Sequence, residues 1–432
     1  MPVIPNFEVV FLAPPIGKKW KSVLGWALYD WGNSAFSTTI MAGFFPVFYG
    51  EFWRPETIVS AERSTFELGF GNSVASLLVA FMAPVIGTIA DKGSRKKRFL
   101  ATFAFLGVLM SAALFVVPGG AWLPALLVYG LAVVGFAGAN IFYDSLLVTV
   151  APPGREDFVS GFGYSLGYLG GGLLFAVNVL MVQRPELFGI ADSGTAVRLS
   201  FLSVAVWWGV FTIPVLMTVE EPRGERSVGL GEAVVAGWRQ LAITFREIRA
   251  LRAVWMFLLA YWLYIDGVNT VIRMAVKFGH DLGFETGTLI GALLLTQFVG
   301  FPAALLYGWL GEKIGTQRAI LIGIAVYGAT TIASVFMSAP IHFYALAVTI
   351  GLVQGGVQAL SRSYFGRLIP VEKAGEFFGF YNMLGKFAAI LGPTLMGIGG
   401  LMLGRRYSIV MLLVLFVVGG WLLTRVREPK AA

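Results

Sequence analysis

The sequence predicts an all-α polytopic membrane protein, with twelve transmembrane helices arranged as two pseudo-symmetric six-helix bundles. Three observations carry this reading. Of 432 residues, 57% are hydrophobic and only 13% charged, whereas soluble domains carry about 25% charge. Apolar runs long enough to cross a bilayer, which takes roughly 20 helical residues, recur along the whole length. Polar motifs of the first half return in the second at nearly constant offsets.

Spans are expected near 24–49, 66–90, 99–117, 122–150, 159–182 and 199–218, then near 253–276, 286–310, 319–338, 342–366, 376–402 and 408–424. Charge, Pro or Gly closes each run, as in "RPETIVSAER", "DKGSRKKR" and "APPGRED". The first run is too long for a signal peptide and is followed by many equal spans. Residues 1–218 and 253–432 thus form two six-helix units joined by a polar stretch, 219–252. In that stretch Leu230, Val234, Trp238, Leu241, Phe245 and Ile248 share one helical seam, which suits a helix lying on the membrane surface and equally a spacer between bundles.

With both termini cytoplasmic, 22 Lys and Arg residues fall in inner segments and 7 in outer ones, the bias the positive-inside rule describes. This distribution accounts for the net charge of +8 without a nucleic-acid partner. The remaining three, Arg273, Arg362 and Lys386, lie within spans. Zero cysteines exclude disulfides and thiolate chemistry, and the two histidines, His280 and His342, lie near outer span ends and make no metal site. No cofactor is expected.

The repeat is sharpest in the opening helix of each half. "YDWGNS" holds Asp30, Asn33 and Ser34; "IDGVNT" holds Asp266, Asn269 and Thr270, 236 residues later. Both read D-x-x-N-[S/T], which puts each trio on one helical face. After the second and eighth spans, "GTIADKGSRKKR" and "GWLGEKIGTQR" pair Asp91 with Glu312 and Lys92 with Lys313, an offset of 221. At an offset of 218, Asn140 pairs with Gln358, Tyr143 with Ser361, Asp144 with Arg362, Tyr164 with Asn382 and Tyr168 with Lys386. Polar faces on the first, fourth and fifth helix of each unit point to a central polar cavity near the bilayer midplane, as in transporters built of repeats.

The loop "GTIADKGSRKKR" resembles the signature of the major facilitator superfamily, with Ser94 in the second glycine slot. "WALYDWGNSAFSTTIMAGFFPVFY", "QALSRSYFGRLIP" and "EFFGFYNMLGKFAAILGP" are similar to the vacuole-effluxer-like (autophagy-related amino-acid effluxer) branch. The resemblance implies the major facilitator fold, a monomer, and export of amino acids as the substrate class. It also implies that Asp91, with Lys92 and Arg95, and Glu312, with Lys313 and Arg318, belong to a gate, the acid tethering neighbouring helix ends in one access state. A basic loop obeying the positive-inside rule explains Lys96 and Lys97 but not Asp91.

A charged side chain in hydrocarbon costs roughly 3 kcal/mol or more, so such residues face a cavity or a partner. Desolvation favours the neutral form of a carboxyl group, which suits carrying a proton; a carboxylate also suits a substrate amine. Asp30 and Asp266 are candidates for both, against packing acids held by Asn33 and Asn269. Arg362 and Lys386 could receive a substrate carboxylate, Arg with a two-bond fork; otherwise they form buried pairs, Arg362 with Asp144 and Lys386 with Asp30 or Asp144. Asn140, Tyr143, Tyr164, Gln358 and Asn382 would shape the cavity. Gly163, Gly167 and Gly171, with Gly287 and Gly291, form small-residue ridges that permit close helix contact; the superfamily resemblance implies that this contact lies between the fifth and eighth spans. "GYSLG", residues 163–167, matches G-x-S-x-G but lies inside a membrane helix, where no nucleophile elbow forms. No nucleotide-binding loop is present.

The leading functional expectation is a secondary transporter working by alternating access on amino acids or similar small zwitterions. Proton coupling is a weaker inference from Asp30 and Asp266, and a uniporter is also consistent. Aromatic-rich faces make an exporter or flippase of lipidic or hydrophobic compounds the alternative; a transport-dead scaffold or sensor is a third. Partners are a small-molecule substrate, protons if coupled, and membrane lipids. The composition fits a bacterial inner membrane.

Overall fold

The computed structural model describes residues 18–54, 61–93, 95–221, 243–281, 284–388, 391–404 and 407–427. Among these every regular element is helical, and helices occupy all twelve expected span positions. The first runs over Lys18–Ala35 and continues through π-helical turns to Trp53; the next five are Ala61–Gly93, Lys96–Ala113, Trp122–Val150, Glu156–Gln183 and Ser193–Thr218. The second half has Arg252–Asp281, Thr286–Ile314, Thr316–Ser334, Pro340–Leu368, an eleventh span in two pieces (Ala374–Phe387 and Leu391–Leu403), and Leu413–Thr424 preceded by the 3-10 turns of Ser408–Leu412. Eight of these helices are long and apolar enough to cross a membrane by length and composition. The other four are the interrupted first span and the shorter third, ninth and twelfth.

Two interruptions depart from the expected continuous helices. In the first span the backbone widens into π-helical turns over Phe36–Phe44 and again over Tyr49–Trp53. The Ser37 and Thr38 hydroxyls both donate to the Ser34 carbonyl, each at 2.9 Å, and Pro46 supplies no N–H to the ladder. Such competition for backbone acceptors loosens the i→i−4 register. The eleventh span breaks after Phe387, and its second piece opens with Leu391, Gly392 and Pro393. Proline is tolerated there because the first turn of a helix needs no donor.

Buried apolar side chains gather in two main clusters, one from residues 23–219 and one from residues 248–426. The halves meet chiefly where the fifth span packs on the eighth and the eleventh on the second, one contact repeated by pseudo-symmetry. At the fifth–eighth contact, a Cβ on Gly161 would lie 2.7 Å from the Ala304 carbonyl oxygen and one on Gly308 2.9 Å from that of Asp157. The expected ridge of Gly163, Gly167 and Gly171 instead faces the first span, against Trp26, Asp30 and Ser34. Positions 161, 165, 168 and 172 form the face turned to the eighth span, so the ridge falls on another side of the helix. Gly287 has open space around its Cα and Gly291 faces Tyr344.

Most of the surface seam proposed for 230–251 lies outside the described residues. Residues 243–250 are helical and dock on the eleventh span: Lys373 Nζ donates to Glu247 at 2.7 Å, and the Thr244 hydroxyl donates to the Glu376 carboxylate. At the far end of the sixth span, Asp192 caps the helix by accepting the Thr195 N–H at 2.8 Å, which holds its carboxyl below the usual range.

Candidate substrate site

The polar residues of the first, fourth, fifth, tenth and eleventh spans converge in the interior. At the centre is Arg362, 2% exposed. Its Nη1 donates to Asp144 Oδ1 at 3.1 Å, its Nε to the Ser160 hydroxyl at 3.0 Å and its Nη2 to the Ser160 carbonyl at 3.0 Å. The rings of Tyr164, Trp26 and Tyr143 surround the guanidinium with centroids at 4.5, 4.9 and 5.1 Å. Asp144 accepts a second bond from Asn382 Nδ2 at 3.1 Å. A buried charge persists only when paired and hydrogen-bonded, and this one is both.

Asp144 and Arg362 occupy equivalent places in the two repeats. Two equivalent residues in direct contact must straddle the pseudo-two-fold axis, so this ion pair lies where the halves mirror each other. It links the fourth and fifth spans of one half to the tenth of the other.

Asp30 lies in the next layer. It accepts the Ser34 hydroxyl at 3.0 Å and the Tyr143 hydroxyl at 3.2 Å. Asn33 Nδ2 donates to Asn140 Oδ1 at 2.5 Å, and the Trp26 indole donates to the Tyr143 carbonyl at 2.8 Å while stacking on its ring at 4.4 Å. Asn140, Tyr164, Gln358, Asn382 and Lys386 are half-buried at mid-span. Lys386 stands one turn beyond Asn382 on the eleventh span.

Asp266 sits differently from its repeat partner. It is fully buried and accepts the N–H of Leu391 at 3.0 Å and of Gly392 at 2.8 Å, with the Thr270 hydroxyl at 3.3 Å; Asn269 Nδ2 donates to the Ala388 carbonyl at 3.2 Å. The trio thus satisfies the backbone at the break of the eleventh span, where a helix start leaves free donors. The side chain of Arg273 lies outside the described residues.

At the face carrying the repeated loops, Asp91 accepts the N–H of Gly375 at 3.0 Å and of Glu376 at 2.8 Å and pairs with Lys96 at 2.9 Å. Glu312 pairs with Arg155 at 3.2 Å and interacts with the Phe158 N–H. Gly375 and Glu376 correspond to Asp157 and Phe158 at the offset of 218, so each acid addresses the same opening turn of a helix in the other half. Lys313 lies over the Trp309 ring at 4.7 Å and Arg318 is exposed. Arg95 starts the third span, and the side chain of Lys92 lies outside the described residues.

One node had no sequence signal. Asp157 accepts the Ser363 hydroxyl and the Thr316 hydroxyl, each at 2.5 Å, and Arg367 Nη1 at 2.7 Å. In the sequence it reads as loop punctuation in "APPGRED", and Arg367 as one more inner-loop cation. Ser160, the anchor of Arg362, is likewise an ordinary helix serine until the tenth span is packed against it. Ser165, the serine of the misleading "GYSLG", donates to the Phe301 carbonyl at 2.8 Å and serves the fifth–eighth contact.

This architecture defines an integral, multi-pass membrane transporter of the major facilitator superfamily. Among solved structures the fold is similar to the human organic anion transporter MFSD10, with a TM-score of 0.72, 13% identity, and 95% of this chain and 100% of that one covered. It is also similar to the proton:xylose symporter XylE, with a TM-score of 0.70 and 15% identity over 95% of each chain. The family model described as "Vacuole effluxer Atg22 like" matches residues 63–153 and 153–432, and the chain belongs to that family, whose members are transporters and not enzymes. An MFS-type transporter of Bacillus subtilis, YxiO, is 39% identical over 409 residues, covering 94% of this chain and 95% of that one. Autophagy-related protein 22 of Eremothecium gossypii is 23% identical, covering 88% and 85%.

Proposed function

We propose that this chain is a secondary active transporter that moves amino acids or similar small zwitterions by alternating access, with Asp30 exchanging a proton. The observation that carries the reading is the Asp30 carboxylate: it lies inside the protein, beside a completed ion pair, and only two neutral hydroxyls bond to it. An interior acid with no ion pair of its own is suited to alternate between a proton and a ligand. The effluxer description of the family supports transport, and the resemblance of "WALYDWGNSAFSTTIMAGFFPVFY" and "EFFGFYNMLGKFAAILGP" to amino-acid effluxers supports the amino-acid class.

In this reading residues 1–218 and 253–432 rock as two bodies joined by 219–252, both termini are cytoplasmic, and the membrane is a bacterial plasma membrane. The Asp91 and Glu312 contacts, with Asp157 and Arg367, form the inner gate and release when the inner face opens. The ring of Trp26, Tyr29, Tyr143 and Tyr164 favours one second reading, export of hydrophobic compounds.

The test is uptake of a pooled amino-acid mixture into proteoliposomes, with and without an imposed pH gradient. Wild type should accumulate label under the gradient, and Asp30→Asn should lose that accumulation at least tenfold, the loss expected for one charged hydrogen bond. No accumulation by folded, inserted wild type would sink the amino-acid assignment and leave the hydrophobic-export reading.

A further inference from the structure

We infer that substrates are recognised through an amine by Asp30, and that a free carboxylate is dispensable, because Arg362 is already committed. This rests on the transport reading above and names the chemistry that its site selects. A contrast in charge pairing carries it. Arg362 uses Nε, Nη1 and Nη2 on Asp144 and Ser160, and three aromatic rings surround it. A substrate carboxylate at the guanidinium would compete with Asp144 for its charge, and displacing Asp144 would strand a buried acid. Asp144 in turn accepts from Asn382 as well, and within this pair the two charges offset each other.

Asp30 is the opposite case. Its oxygens accept two neutral hydroxyls at 3.0 and 3.2 Å, and no Lys or Arg lies within ion-pair distance of it among the described residues. A carboxylate has about four acceptor positions, of which these bonds use two, and its charge is not offset by an ion pair of its own. Tyr143, one of the two donors, stacks on Trp26 and is tilted against Tyr29 at 4.4 and 5.1 Å, aromatic surface of the kind that attracts a cation. A carboxylate set among electron-rich rings is chemistry for R–NH3+, whether or not R carries an acid.

The test uses the purified full-length chain and three ligand pools built on alanine, valine, leucine and isoleucine: the free amino acids, their amides, and their N-acetyl derivatives. Binding is read as the ligand-induced rise in Tm, which grows with ligand concentration over Kd. The free and amide pools should give apparent affinities within about threefold of each other, and the N-acetyl pool should be at least tenfold weaker, the loss of one charged hydrogen bond. Asp30→Asn should weaken the first two pools together by a similar factor; the comparison of pools on wild type needs no variant and survives a misfolded one. Equal binding of the N-acetyl pool would overturn the inference. So would failure of the amide pool while the free pool binds, which would return the carboxylate to Arg362 or Lys386, and so would absence of response to all three. Binding of the amide pool without uptake in proteoliposomes would overturn the transport reading alone.

Discussion

Asp30 dictates what can stand beside it. A Cβ on Gly167 would lie 2.9 Å from Asp30 Oδ1 and 2.7 Å from the Ser34 hydroxyl, closer than a methyl group can approach. Gly167→Ala is therefore expected to separate Ser34 from Asp30 or push the fifth span away, with about 1–3 kcal/mol of overpacking. Uptake should fall while Tm drops modestly; unchanged uptake would show that the Ser34–Asp30 contact is not needed. That Asp30 is special was legible from the sequence, because a carboxylate amid apolar residues demands a reason. That Asp266, with the same neighbours in the chain, instead caps a helix break was not, because the distinction depends on what the eleventh span presents to each.

Helix ends decide the inner face. Asp91 meets two backbone donors at the first turn of the eleventh span, where the positive end of the helix dipole favours an anion. Asp91→Asn should weaken that contact by about 1–2 kcal/mol, which is roughly 5- to 30-fold in the population open at this face. With no native cysteine, a single reporter at Ala374, buried in this structure, measures it: alkylation should accelerate in Asp91→Asn, and an unchanged rate would remove Asp91 from the gate. Span positions were readable from apolar run length. The π-helical turns of the first span and the break in the eleventh were not, since both depend on local competition for hydrogen bonds that run length does not register.

The whole molecule is organised about Asp144 and Arg362. Removing one member of a buried pair strands the other and costs about 3–5 kcal/mol, so Asp144→Ala and Arg362→Met should each lower Tm sharply. Because the two positions are equivalent across the pseudo-two-fold, the exchange Asp144→Arg with Arg362→Asp should recover part of that loss, measured as Tm and as inter-half coupling in a double-mutant cycle. Additive losses would mean that the environment of Ser160 and Tyr164, present on one side only, sets the polarity of the pair.

The sequence by itself determined that this chain is a twelve-span duplicated bundle, that its repeats align Asp30 with Asp266, Asp91 with Glu312 and Asp144 with Arg362, and that polar faces recur on the first, fourth and fifth helix of each half. Apolar length and periodic polarity are properties of the chain alone, set by the thickness of the bilayer and the pitch of the helix. Only the tertiary structure decided which aligned residues touch: that Arg362 pairs with Asp144 and Ser160, that Asp30 bonds two neutral hydroxyls, that Asp157 collects three donors, and that the glycine ridge packs on the first span. Each of these depends on which face one helix turns toward another, and a helix has no means of encoding its partner in its own spacing.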